Sequence, residues 1–142
     1  MTMGNKFFQW FQKNDNHKDN PITEMEQYIL EVEEQIASIQ GKMQLQLVEE
    51  KHLKDVLNEY RVEIQKLEKY ENIAKDREDL QGIMLYQSKR EELIELESQK
   101  AKEYEKIKME IEENQSSIEQ IYQNIEQLKI AKDTLENAML NE

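Results

Sequence analysis

The chain has 142 residues, enough for one domain, with three Gly, one Pro, no Cys and seven Met. Charged residues make up 35% of it, hydrophobic residues only 37%, and the net charge is -12. So few turn residues exclude hairpin-rich sheet folds, the missing cysteines exclude a disulfide framework or thiolate metal site, and the acidity argues against a nucleic-acid partner.

Residues 1-13 stand apart. Phe7, Phe8, Trp10 and Phe11 include every Phe and the only Trp of the chain, and residues 1-20 carry a net +1 while the remainder carries -13. At about 100° per residue, Met3, Phe7, Phe8, Trp10 and Phe11 share an arc of roughly 160°, with Lys6 and Lys13 just beyond Trp10. The pattern predicts a short amphipathic helix lying in a bilayer interface. Its rings would sit at the headgroup boundary and its lysines would face anionic phosphates. The same face also suits docking onto the rest of the chain or onto a neighbouring subunit. The apolar stretch is too short for a signal peptide, and no apolar run approaches the ~20 residues of a spanning helix. One helix of three turns holds a membrane weakly, so the membrane reading calls for a homo-oligomer whose many copies add avidity.

Residues 14-21, Asn-Asp-Asn-His-Lys-Asp-Asn-Pro, read as a linker. Pro21 suits the first position of a helix with Asn20 as its cap, and Glu24 and Glu26 suit the positive end of the helix dipole. From Ile22 an apolar series at 3-4 spacing runs through Met25, Ile29, Val32, Ile36, Ile39, Met43, Gln46, Glu50, Leu53, Leu57, Tyr60, Ile64, Leu67, Glu71 and Ala74. Thirteen of these sixteen positions are apolar, which defines a heptad seam. The breaks at Gln46 and Glu50, next to Leu45, Leu47 and Val48, read as a stutter or as a second contact surface.

A second series runs Tyr104, Ile107, Ile111, Asn114, Ile118, Ile121, Ile125, Leu128, Lys132, Leu135, Met139, with Leu93 and Leu96 extending it less regularly. Between the two series Asp76 reads as the cap of a new helix, with Asp79 completing a capping box. The expected fold is all-α: two long helices, about 22-75 and 79-140, in an antiparallel coiled-coil hairpin over 22-142, preceded by the amphipathic helix. Asp76, Arg77, Glu78 and Asp79 form the hairpin tip. One unbroken helix is the competing arrangement. Folding back near the tip makes residues whose numbers add to roughly 155 face each other. That places Glu50 near Lys102 and Lys106, Lys132 near Glu24, and Asn114 opposite Gly41, whose small size leaves room for the amide. Ile36, Ile39, Ile118 and Ile121 are expected in one buried cluster.

No catalytic, metal or cofactor site emerges. His17 and His52 are the only histidines, and His52 with Glu49 gives two ligands, too few for zinc. No Gly-rich loop can hold phosphate, and the Glu pairs read as solvated faces. The expectation is a protein that is not an enzyme.

The layout resembles the phage-shock-protein A family, which includes the vesicle-inducing proteins of plastids and is related to ESCRT-III proteins. The resemblance rests on the aromatic N-terminal segment, Asn20-Pro21 followed by Met25-Glu26-Gln27-Tyr28, Glu33-Glu34-Gln35, Glu49-Glu50-Lys51, and Arg77-Glu78-Asp79-Leu80. It implies a protein of the cytoplasm, peripheral on the inner face of the cytoplasmic membrane. It also implies binding to anionic phospholipid, assembly into rings, rods or coats under envelope stress, and contact with a regulatory protein partner. Family members continue past the hairpin with further helices. This chain ends at Glu142, so the resemblance covers the hairpin portion or a short variant. A soluble coiled-coil hairpin adaptor that grips a protein partner is the alternative function.

Overall fold

A computed structural model describes residues 21–140. The expected N-terminal helix, with Met3, Lys6, Phe7, Phe8, Trp10, Phe11 and Lys13, lies outside the described residues. Two helices account for nearly all of the described chain, α1 over Pro21–Asp76 and α2 over Leu80–Leu140, and no strand occurs among the described residues. The chain does not continue as one helix through Asp76. Pro21 opens α1, where its missing N–H costs nothing and its fixed φ already suits the helix.

The chain divides into two compact units. In the first, described over 21–43 and 113–140, α1 and α2 lie side by side around Tyr28, Ile29, Val32, Ile36, Ile118, Ile125 and Leu128, all buried. Of the four isoleucines expected to be buried, Ile36 and Ile118 are buried and Ile39 and Ile121 are half-buried. Ion pairs flank this core. Lys132 Nζ lies 3.3 Å from Glu26, and Lys129 Nζ 3.9 Å from Glu33. The second unit, Gln44–Glu112, holds the turn and buries Leu53, Leu57, Ile64, Leu67, Ala74, Ile107 and Ile111. Gln46 Nε2 donates to Glu110 at 3.2 Å, and Arg61 Nε donates to Glu97 at 3.2 Å. Inside each unit the pairing is antiparallel, as in a helical hairpin.

The pairing register departs slightly from the expected one. Partners in the second unit add to 156 (Gln46 with Glu110, Tyr70 with Tyr86), 158 (Arg61 with Glu97, Glu71 with Gln87) or 161 (Glu71 with Arg90). In the first unit Lys132 pairs with Glu26, two residues from the expected Glu24, which is itself buried. No ion pair joins Glu50 to Lys102 or Lys106 among the described residues. The expected role of Gly41 is also wrong. Ile39 and Met43 carry the seam, so Gly41 between them points away from it, and a Cβ built there meets nothing within 4 Å. Its smallness makes no room for Asn114.

The first heptad series is more regular than its composition suggests. All sixteen positions are buried or half-buried, including Gln46, Glu50 and Glu71. The seam therefore runs through the polar positions without a stutter, while Leu45 and Val48 are left exposed.

The two helical glycines give a test. In an exposed helix interior Gly costs roughly 0.5–1 kcal/mol relative to Ala. Gly41→Ala is therefore expected to raise stability by about that much. A Cβ at Gly82 would stand 2.5 Å from Asp79 Oδ2 and 3.3 Å from the Ala74 Cβ. Gly82→Ala displaces the carboxylate that caps α2, and the gain in propensity is offset by the lost cap, worth about 1 kcal/mol. Thermal unfolding of the two variants should separate them in that order.

Candidate functional site at the helical turn

The turn is built by two interlocking caps. Glu78 adopts φ 54°, the left-handed conformation usually taken by Gly after a helix. Around it the Glu78 N–H donates to the Lys75 carbonyl at 3.1 Å and the Asp79 N–H to the Ala74 carbonyl at 2.9 Å. These are the two bonds of a Schellman motif, and they satisfy carbonyls that the end of α1 leaves unpaired. Asp79 then starts α2. Its side-chain Oδ1 accepts from the Gly82 N–H at 3.1 Å, and its carbonyl accepts from the Ile83 N–H at 3.0 Å. The cap of α2 is thus Asp79. Asp76, expected to be that cap, is the last residue of α1, because two further residues are needed to reverse the chain.

Behind the turn sits a charged network that the apolar pattern did not reveal. Glu71 is the most buried polar side chain described, at 2% exposure. Gln87 Nε2 donates to it at 2.9 Å, Lys75 Nζ lies 3.3 Å away, and Arg90 Nη1 donates to its other oxygen. The Gln87 hydrogen bond, followed by the Lys75 hydrogen bond and the charges of Arg90 and Lys75, holds the Glu71 carboxyl below its ordinary range. Burial pushes the other way and is outweighed by these hydrogen bonds and charges together.

Because the folded carboxyl binds its proton more weakly than the unfolded one, its stabilisation is complete above the ordinary carboxylate range. It is lost as pH falls toward the depressed value. The parent is therefore expected to lose thermal stability more steeply between pH 5 and 3 than Glu71→Gln (roughly the range over which carboxylates titrate). At pH 7 the variant should be the less stable of the two. Parallel melting curves check both.

The signal for Arg90 was available. Counting back from Tyr104 in steps of 4 and 3 gives Lys100, Glu97, Leu93, Arg90, Tyr86 and Ile83, and all are half-buried. Glu97 holds the seam position where Leu96 was expected, and Leu96 is 41% exposed. Three of these six positions are charged, so a count of apolar residues passes over them.

At the surface of the tip, Tyr70 and Tyr86 meet with ring centroids 5.6 Å apart, and a shallow groove runs between Tyr70, Ile73, Ala74, Arg77, Asp79 and Tyr86. Of the expected tip residues, Arg77 and Asp79 line this groove, while Asp76 and Glu78 are exposed beside it. Tyr70 and Ile73 in the groove are partly exposed, and Leu80, Met84 and Leu85 at the start of α2 are exposed as well. Among the described residues no group of three or more His, Asp or Glu could hold a metal, and no helix is long and apolar enough to cross a membrane.

Compared with protein-family models, curated proteins and solved structures, the chain has no match in any of the three.

Proposed function

We propose that this is a self-assembling, membrane-associated coiled-coil protein that attaches to anionic membranes through its N-terminal segment. The observation that carries the reading is the placing of Phe7, Phe8, Trp10 and Phe11 beside Lys6 and Lys13, ahead of an otherwise strongly acidic chain. An acidic body is repelled by an anionic bilayer, so attachment falls to that segment. Within each unit the two long helices pair along an apolar seam and leave further apolar side chains exposed, which suits lateral assembly. On the resemblance to phage-shock protein A, the site of action is the inner face of the cytoplasmic membrane and the role is support of membrane integrity under envelope stress, with a regulatory protein as a further partner.

The test is co-sedimentation with anionic vesicles of the full chain against a chain beginning at Asn20. Binding by the first and not the second is expected. Equal binding by both sinks the N-terminal assignment. If neither binds, the chain is a soluble hairpin adaptor, the reading that the exposed apolar side chains of the second unit would then serve.

A further inference from the structure

The charge of this chain is low in two places. The first is residues 1-20. The second is the tip: residues 66-90 carry six Lys and Arg against five Asp and Glu, a net +1, while residues 21-65 and 91-142 together carry -14. Within the tip, Leu80 to Ser88 is a run of nine residues without a charge, the longest such run in the chain. Ile83 and Tyr86 are half-buried in the seam, while three other apolar side chains of the run face outward. Leu80 is 73% exposed, Met84 71% and Leu85 49%. At spacing i, i+4 and i+5 they form one outer face of the first turns of α2. Tyr70 and Ile73 add exposed apolar surface from the end of α1, with Lys66, Lys69 and Arg77 at 3-4 spacing around them.

We propose that this outer face of the tip is a second contact with anionic membranes. The occupant follows from charge and chemistry. Exposed leucine, methionine and tyrosine flanked by long basic side chains suit an interface in which the apolar groups enter the acyl boundary and the cations stay at the phosphates. The other exposed apolar run, Leu45, Leu47 and Val48, is shorter and is followed directly by the acidic Glu49 and Glu50. The contact is lateral rather than end-on, because Asp76 and Glu78 stand at the turn while the Asp79 carboxylate is held by the Gly82 N–H. Two weak contacts on one chain meet the requirement that stable peripheral attachment has two signals. The inference rests on the membrane reading above but concerns different residues.

The chain has no cysteine, so one probe can be placed without background labelling. An environment-sensitive dye on Gln81→Cys in the full chain should shift to the blue with vesicles containing phosphatidylglycerol, and not with phosphatidylcholine alone. The same dye on Gln115→Cys should not respond. Leu80→Gln with Met84→Gln, both exposed and so free to change without unfolding, should weaken vesicle binding by about tenfold or more, given the value of burying such side chains. Circular dichroism should be unchanged. If the chain binds vesicles but the Gln81→Cys dye stays in water, the tip contact is overturned while the N-terminal contact stands. If Phe7→Glu with Phe11→Glu binds as the parent does and the tip variant does not, the tip contact stands and the N-terminal reading falls. A dye shift that follows protein concentration without vesicles overturns the proposal in favour of contact between copies.

Discussion

Ile36→Ala is expected to destabilise the chain by about 2–4 kcal/mol, the larger part of what a small helical protein has to lose. Ile36 is 2% exposed, the best covered apolar side chain described, and Ile118 in the same unit is buried at 8%. Truncation removes three carbons from a seam only two helices wide. The loss comprises the transfer of those carbons and the gap they leave, which facing side chains fill only in part. Ile118→Ala should fall in the same range but nearer its lower end, since its surroundings are less complete. Leu30→Ala, at a position 61% exposed, should change stability by less than about 0.5 kcal/mol. Chemical denaturation of the three variants checks the ranking. An Ile36→Ala midpoint equal to that of the parent would mean that the seam does not pack as described.

The seam of α1 was legible because its rule is simple. A heptad repeat needs only consistent spacing, and Gln46, Glu50 and Glu71 keep the spacing even though they break the apolar pattern. The tip half of α2 was not legible by the same means, because Arg90, Glu97 and Lys100 take seam positions with side chains that give no apolar signal. Their long aliphatic stems cover surface while their ends reach Glu71, Arg61 and Glu103. The turn was placed closely but its caps were misassigned. Glu78 occupies the left-handed position where Gly would mark it in a sequence, so the pattern points to Asp76 as the cap that Asp79 provides. In the second unit the pairing register differs from the expected one most at Glu71, whose partners Gln87 and Arg90 are polar residues that an apolar count passes over. The run from Leu80 to Ser88 stands out in the sequence as a stretch without charge, but only the structure shows that Leu80, Met84 and Leu85 lie outside the seam.

The largest functional effect is expected from Phe7→Glu combined with Phe11→Glu, which should abolish vesicle binding through the N-terminal segment while leaving the helical signal intact. Each Phe that enters the bilayer contributes about 1.5–3 kcal/mol, and a neighbouring lysine about 1 kcal/mol at an anionic surface. Two glutamates remove the apolar gain and add charge of the same sign as the lipid. They also leave untouched every residue of the two seams, all of which lie beyond residue 20. Lys6→Glu with Lys13→Glu acts on the weaker electrostatic part. It should reduce binding without abolishing it, and the reduction should be larger at low salt, where charge reaches further. Trp10, the only tryptophan, reports directly, and its emission should move to the blue when anionic vesicles are added to the parent chain. A double Phe variant that still sediments with vesicles to the same extent, together with Trp10 emission that does not move, would remove the N-terminal segment from the membrane. Its aromatic face would then be a protein-docking surface.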